Sequence, residues 1–294
     1  MVRRFLWCVP VLAVCLGGCL WLPALAFLRQ PMVNIQITEY KDSAAFERMI
    51  AELRRRGITA TILVNDTFAA AHCDLLRQLD AEGYEIMAFA RPTGPDGSST
   101  TMSQLTYDDQ HAFISQIKAG IEACLGRAVT GFRCTRFDQN QDTYRALQTL
   151  GFEYNLGFVA GTDANLPEHD NAILPYRADP YGFWALPMHS APREGQLSAF
   201  CDNPFRDVPA DQWEALLQDE LDRMALQGRP LLVEFHPYFS GADEDRFQAF
   251  VRFLDYLVLR NGRSISVAEY VEWSQTAAVA SGMAGGSAGC GCEE

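Results

Sequence analysis

An α/β fold on a parallel sheet, closed or partly closed into a barrel, is what this sequence predicts, on three observations. Strand-like and helix-like segments alternate with short gaps. The strands are rich in apolar and β-branched residues, as strands covered on both faces are. A chain of 294 residues with 48% hydrophobic composition is ample for one continuous core.

In chain order, "VNIQIT" (33–38) alternates apolar and polar residues. "SAAFERMIAELRRRG" (43–57) follows, with Phe46, Ile50 and Leu53 at helical spacing and Gly57 as its stop. "ITATILV" (58–64) is a strand, "FAAAHCDLLRQLDAEG" (68–83) a single helix ending in glycine, and "YEIMAF" (84–89) the next strand. A loop full of turn formers leads to "QLTYDDQHAFISQIKAGIEACLG" (104–126), a long helix with Thr106 as cap and Gly126 as stop. "VTGFRC" (129–134), "DTYRALQTLG" (142–151) and "FEYNLGFV" (152–159) read as strand, helix and strand, before an irregular stretch over 160–182. "GFWALPM" (182–188) and "PLLVEF" (230–235) are strands, 210–228 is helical, and 244–262 and 266–273 close the fold. In such folds chemistry sits at the carboxyl ends of the strands, here around Glu39, Asn65, Phe89, Arg133, Asp163, His189 and His236.

The formal charge is −13, so nucleic acid is excluded as a partner on electrostatic grounds. "MVRRFLWCVPVLAVCLGGCLWLPALAF" has two arginines, an apolar run and "ALA" at 24–26, the order of a secretory leader cleaved after Ala26. The same run is long enough to stay as a membrane tether, and "LGGC" resembles a lipoprotein box ending at Cys19. All three readings export the folded part to a periplasmic or extracellular location. They leave Cys73, Cys124, Cys134, Cys201, Cys290 and Cys292 where disulfides form, although Cys124 and Cys134 read as small buried hydrophobes. The domain layout expected is a leader or anchor over 1–26, a barrel over 33–275, and an unfolded Gly-, Ala- and Ser-rich tail over 276–294 that carries Cys290 and Cys292.

"GITATILV", the spacing to "GYEI", the helix from Gln104, "FRCTRFDQNQDTYRALQTLGFEY" and "LLVEFHP" together resemble the polysaccharide deacetylases, carbohydrate esterases that remove acetyl groups from chitin, peptidoglycan and xylan. The likeness spans about residues 33–275 and implies a distorted (β/α) barrel with an incomplete strand set. That family opens on Thr-Phe-Asp-Asp-Gly, which supplies a base and a metal-binding carboxylate. Here the match is "ITEYKDS", with Glu39 the carboxylate at the strand end. The family's second motif carries two metal-binding histidines, where this chain has Phe89 and Thr93. The resemblance therefore implies no zinc or other divalent cofactor here, since a catalytic zinc needs three protein ligands.

Other positions match. Arg133 stands where the family's Arg orients the catalytic acid, Asn140 and Thr143 match beyond it, and His236 stands where active members protonate the leaving amine. Asp163 in "GFVAGTD" is the candidate acid behind that histidine. The candidate catalytic set is thus His236, Glu39, Arg133 and Asp163, with Trp184, Tyr238 and Asn140 as substrate contacts. Each has a plainer reading: His236 as a hydrogen-bonded core residue, Arg133 as a barrel-mouth ion pair, Glu39 as a solvated acid, and Trp184 and Tyr238 as packing aromatics. His189 and His236 converging with Asp163 or Glu39 would make a replacement metal site. The function expected is an exported protein that binds or acts on acetylated glycans; the alternative is a non-catalytic scaffold of an envelope polysaccharide system.

Overall fold

The computed structural model describes residues 30–41, 44–94, 98, 100–162 and 172–280. The first βα units are β1 (Met32–Glu39) with α1 (Ala45–Arg55), and β2 (Thr61–Val64) with α2 (Asp66–Ala71) and α3 (Cys73–Ala81). β3 (Glu85–Ala90) leads to α4 (Tyr107–Leu125), and β4 (Gly131–Cys134) to α5 (Gln141–Thr149). Next come β5 (Tyr154–Val159), β6 (Tyr176–Ala178), β7 (Phe183–Met188) and the hairpin β8 (Ser190–Arg193) with β9 (Gln196–Ala199). α6 (Ala210–Leu226), β10 (Leu231–Phe235), α7 (Glu244–Leu259), β11 (Arg263–Ser264) and α8 (Val267–Ala280) complete the described chain.

The sheet runs β10-β1-β2-β3-β4-β5-β7-β6, with β11 against the start of β1. All neighbours are parallel except β6 on β7. It curls into a half-barrel with helices outside. Between its open edges lies the extended segment after β9. Phe200 N donates to His189 O at 2.7 Å, Glu234 N to Phe200 O at 3.2 Å and Asp202 N to Glu234 O at 3.2 Å. This short segment stitches the end of β7 to β10 and closes the sheet.

Period-two alternation divides the strands into two faces. Val33, Ile35, Ile37, Ile62, Ile86, Ala88, Phe132, Leu231, Val233 and Phe235 face the helices. Leu63, Met87, Phe89, Leu156, Leu186, Met188 and Leu232 fill the barrel interior. At Gly131 a Cβ would sit 2.1 Å from Met87 Sδ, so a larger residue there would force the Met87 side chain aside.

Caps match the sequence. Thr106 accepts from Asp109 N, and Gly126 ends α4 in the left-handed region at φ 71°. Four expectations are corrected. The helix expected over 68–83 breaks at His72 (φ −126°, ψ 35°), where α2, capped at its start by Asn65, ends and a second helix begins. The hairpin β8–β9 and strand β6 occupy stretches read as irregular or left unassigned. Cys124 is no simple buried hydrophobe: it is disulfide-bonded to Cys73, joining the start of α3 to the end of α4. α8 runs to Ala280, past the expected start of the tail at 276. Residues 1–29 and 281–294, with the leader or anchor, Cys290 and Cys292, lie outside the described residues. Among the described residues no helix is long and apolar enough to cross a membrane.

Candidate functional site at the barrel mouth

A cavity of about 600 Å³ opens at the carboxyl ends of the strands. Its floor is a buried polar network that sequence alternation builds. In β1 the inward positions are Asn34, Gln36 and Thr38, and in β10 the inward residue near the end is Glu234; all are buried. Arg133 reaches inward from β4 and crosses the barrel. Its guanidinium donates to Gln36 Oε1 at 2.8 Å and Thr38 Oγ1 at 2.9 Å, and forms a close ion pair with Glu234. Thr38 Oγ1 donates to Glu234 Oε1 at 2.6 Å. Burial pushes the Arg133 guanidinium down to about 10, so it stays charged at neutral pH.

His236 follows β10 directly. Its Nδ1 lies 2.6 Å from Asp202 Oδ1, and its backbone N donates to Asp202 Oδ2 at 2.8 Å. Ser240 Oγ donates to the same oxygen at 2.6 Å. His236 Nε2 is 3.3 Å from Glu234 Oε1. The carboxylate behind the imidazole is therefore Asp202, which fixes the ring through Nδ1 and leaves Nε2 toward Glu234 and the cavity. Asp163, expected in that role, lies outside the described residues, and the position beneath the ring is already filled.

Glu39 is also placed differently from expectation. It has the parity of Val33, Ile35 and Ile37, is fully buried, accepts from Lys41 N at 2.6 Å and does not line the cavity. It is not a solvated acid. The next residues, Tyr40 and Lys41, line the cavity instead. Tyr40 stacks on Phe89 with centroids 5.4 Å apart and meets Tyr238 edge-on at 5.7 Å; Tyr238 in turn meets the His236 ring at 5.4 Å. Lys41 Nζ is 3.8 Å from the Tyr238 ring centroid, and Arg91 lies 5.0 Å from that of Tyr40. The mouth is thus a run of aromatic faces interleaved with cations. Burial raises the Tyr238 hydroxyl, with Tyr40 adding to it, and pushes the buried thiols of Cys134 and Cys201 up to about 12, so neither cysteine is a thiolate nucleophile at neutral pH.

Two proposed substrate contacts sit elsewhere. Asn140 forms a capping box with Thr143 on α5 and accepts from Gln110 Nε2 at 3.1 Å, a packing role. Trp184 is half-buried on β7 and does not line the cavity, whereas Tyr238 does. His189 does not join His236. It bonds Glu220 at 2.8 Å on α6 and packs on Phe200, so the replacement metal site is not assembled.

The residues that face the cavity do not fit a divalent cation. Phe89 has no lone pair, the Lys41 ammonium repels a metal, and Glu234 is already paired with Arg133. Among the described residues no group of three His, Cys, Asp or Glu side chains could hold a metal ion.

Sequence reasoning missed Glu234, Asp202, Tyr40, Lys41 and Arg91. For two of them a signal existed: a lone carboxylate inside "LLVEF" is conspicuous, and carrying the alternation of β1 forward assigns Glu39 to the helix side and Tyr40 to the cavity. Asp202 carries no local signal, because its position depends on the segment that closes the barrel.

Residues 35–155 match the family model described as polysaccharide deacetylase. Among solved structures, a protein from Pseudomonas aeruginosa PAO1 described as a probable polysaccharide deacetylase is similar at 14% identity and TM-score 0.63, covering 83% of this chain and 91% of its own. A family 4 carbohydrate esterase from Streptomyces lividans in complex with acetate is similar at 13% identity and TM-score 0.52, covering 81% and 94%. A CE4 family pseudoenzyme from Bacillus anthracis is similar at 10% and 0.51, covering 82% and 66%. At these identities the likeness is one of fold. A search of curated proteins returned no match.

Proposed function

We propose, from the premise that this chain carries a polysaccharide deacetylase domain over residues 35–155, that it is an exported protein that holds a glycan in the cavity at the barrel mouth without the metal-dependent hydrolysis of its family. The observation that carries this reading is the aromatic run Phe89–Tyr40–Tyr238 along a cavity of about 600 Å³, where catalytic carboxylates and metal-binding imidazoles would otherwise stand. Flat rings stack on the apolar faces of pyranoses. The Bacillus anthracis neighbour is itself named a pseudoenzyme, so this fold does not bring hydrolysis with it. The Cys73–Cys124 disulfide supports an oxidising, extracytoplasmic setting.

A hydrolytic second reading rests on one observation, the Asp202–His236 pair at the cavity wall, which has the geometry of an oriented general acid. Calorimetric titration of the purified protein with an N-acetylglucosamine hexamer, alongside an acetate-release assay with and without added zinc, separates the two. Saturable binding with no acetate release is the expected result, and Tyr238→Ala should weaken binding about tenfold, about 1.4 kcal/mol. Acetate release that a chelator stops and zinc restores would overturn the binding reading.

A further inference from the structure

We propose that the ligand of this cavity is an anionic saccharide, one whose sugars carry carboxylate or phosphate groups, held by Lys41, Arg91, Arg136 and Arg206. The inference rests on the glycan-binding reading above and adds the charge of the glycan.

The sign of the charge reverses at the cavity. The chain as a whole has 37 acidic against 24 basic residues. Among the described residues, the cavity lining has five basic side chains, Arg133 and the four named, and one carboxylate, Glu234. That one carboxylate is already spent on Arg133, with which it forms a buried pair, while Thr38 also donates to it. Lys41, Arg91, Arg136 and Arg206 form no ion pair with a described carboxylate; the side chains of the first two lie against the rings of Tyr40 and Tyr238. By contrast, many arginines on the outer surface of the same molecule are paired, among them Arg48 with Glu244, Arg54 with Glu82, Arg127 with Asp80 and Arg252 with Glu214. Cations gathered in one concavity without counter-charges repel one another and raise the local concentration of anions.

The backbone at Arg136 supports the same conclusion. Arg136 and Phe137 both occupy the left-handed region, at φ 59° and 56°, directly after β4. Two consecutive non-glycine residues there are costly, and such conformations persist where a side chain is being aimed. Here they bring Arg136 and Phe137 onto the cavity wall. On the other rim, Arg206 is shared with a shallower groove of about 480 Å³, in which Arg193 is paired with Asp207. Arg206 is thus the cation without an ion pair to a described carboxylate where the two concavities meet. Guanidinium forks suit planar carboxylates and phosphate oxygens, while the adjacent rings of Tyr40 and Tyr238 suit the sugar body.

The test is calorimetric titration of the full chain with three probes: a neutral N-acetylglucosamine hexamer, a galacturonate hexamer and glucose 6-phosphate, each at 50 and 500 mM sodium chloride. The galacturonate oligomer should bind at least tenfold tighter than the neutral one at low salt, and that advantage should collapse at high salt. Response to glucose 6-phosphate in place of galacturonate would assign the anion as phosphate. Arg91→Gln with Arg136→Gln, both at the rim and clear of the buried network, should remove the salt dependence and most of the affinity for the acidic probe. Lys41→Gln is the independent second variant. Equal or tighter binding of the neutral hexamer would overturn this inference and leave the glycan reading standing. No binding of any of the probes would overturn both.

Discussion

The two ends of this barrel are built from the same kinds of side chain and put to different ends. At the amino end, Asn34 donates to Thr61 Oγ1 and Ile265 O, both at 2.9 Å, and Gln36 donates to Asn34 Oδ1 at 3.0 Å. Thr61 Oγ1 donates to Glu85 Oε2 at 2.8 Å, and that oxygen also accepts from Val267 N at 2.9 Å. Glu85 thus caps α8, so on this side the network ends in backbone, while Gln36 joins it to Arg133 at the other. At the carboxyl end, Thr38, Arg133, Glu234, His236 and Asp202 form an equally buried network whose last members line a cavity. A buried polar cluster is therefore not in itself a site: what separates these two is whether a helix closes over it or solvent-accessible space remains.

Three substitutions sharpen that contrast. The largest effect belongs to Arg133→Met at the mouth, which leaves Glu234 buried without its guanidinium and should cost about 3–5 kcal/mol in urea unfolding. The double variant Arg133→Met with Glu234→Leu should recover more than half of that loss while abolishing ligand binding. A double variant as unstable as the single one would show that the pair matters for packing and not for charge. At the closed end, Asn34→Leu leaves Gln36 Nε2 and Ile265 O without their partner and should cost about 1–3 kcal/mol with ligand affinity unchanged. An affinity loss there would erase the distinction between the ends.

The smallest effect is Glu85→Gln, expected within about 1 kcal/mol at neutral pH because the amide can still accept from Val267 N. Its signature lies in pH. Burial raises the Glu85 carboxyl above its ordinary 4.5, against bonds from Val267 and Thr61 that lower it. The folded chain holds that proton more tightly than the unfolded one. The contribution is therefore fully present below about 4.5 and is lost as pH rises through the folded value. Unfolding curves from pH 4 to 8 should show this decline in the native protein and its absence in Glu85→Gln.

Much of the fold was legible because it is local. The alternation of β1, the helical spacing of Phe46, Ile50 and Leu53, the Thr106 cap and the Gly126 stop each act within a few residues, and all stand where the sequence puts them. The hairpin β8–β9 was not legible, since "SAPREGQLSA" is short and polar with little apolar pattern to read. The site was half legible. His236, Arg133 and Tyr238 lie on the cavity as their positions suggest. Glu39 stands out by its chemistry but has core parity, and a one-residue offset in a strand exchanges core for cavity. Asp202 was out of reach, being 34 residues from the histidine it supports and brought there by closure of the sheet.

That closure has a consequence for motion. The stretch Phe200–Asp202 is held to the strands on either side by single backbone bonds at each step, to His189 O on one flank and Glu234 on the other. The same three residues carry the acid that steadies the imidazole. Were this seam to unzip, the barrel would gape and the His236 ring would lose its anchor in one event. Ligand seated across the mouth would act as a clasp on the seam, and amide exchange at Phe200, Asp202 and Glu234 should slow together when the cavity fills.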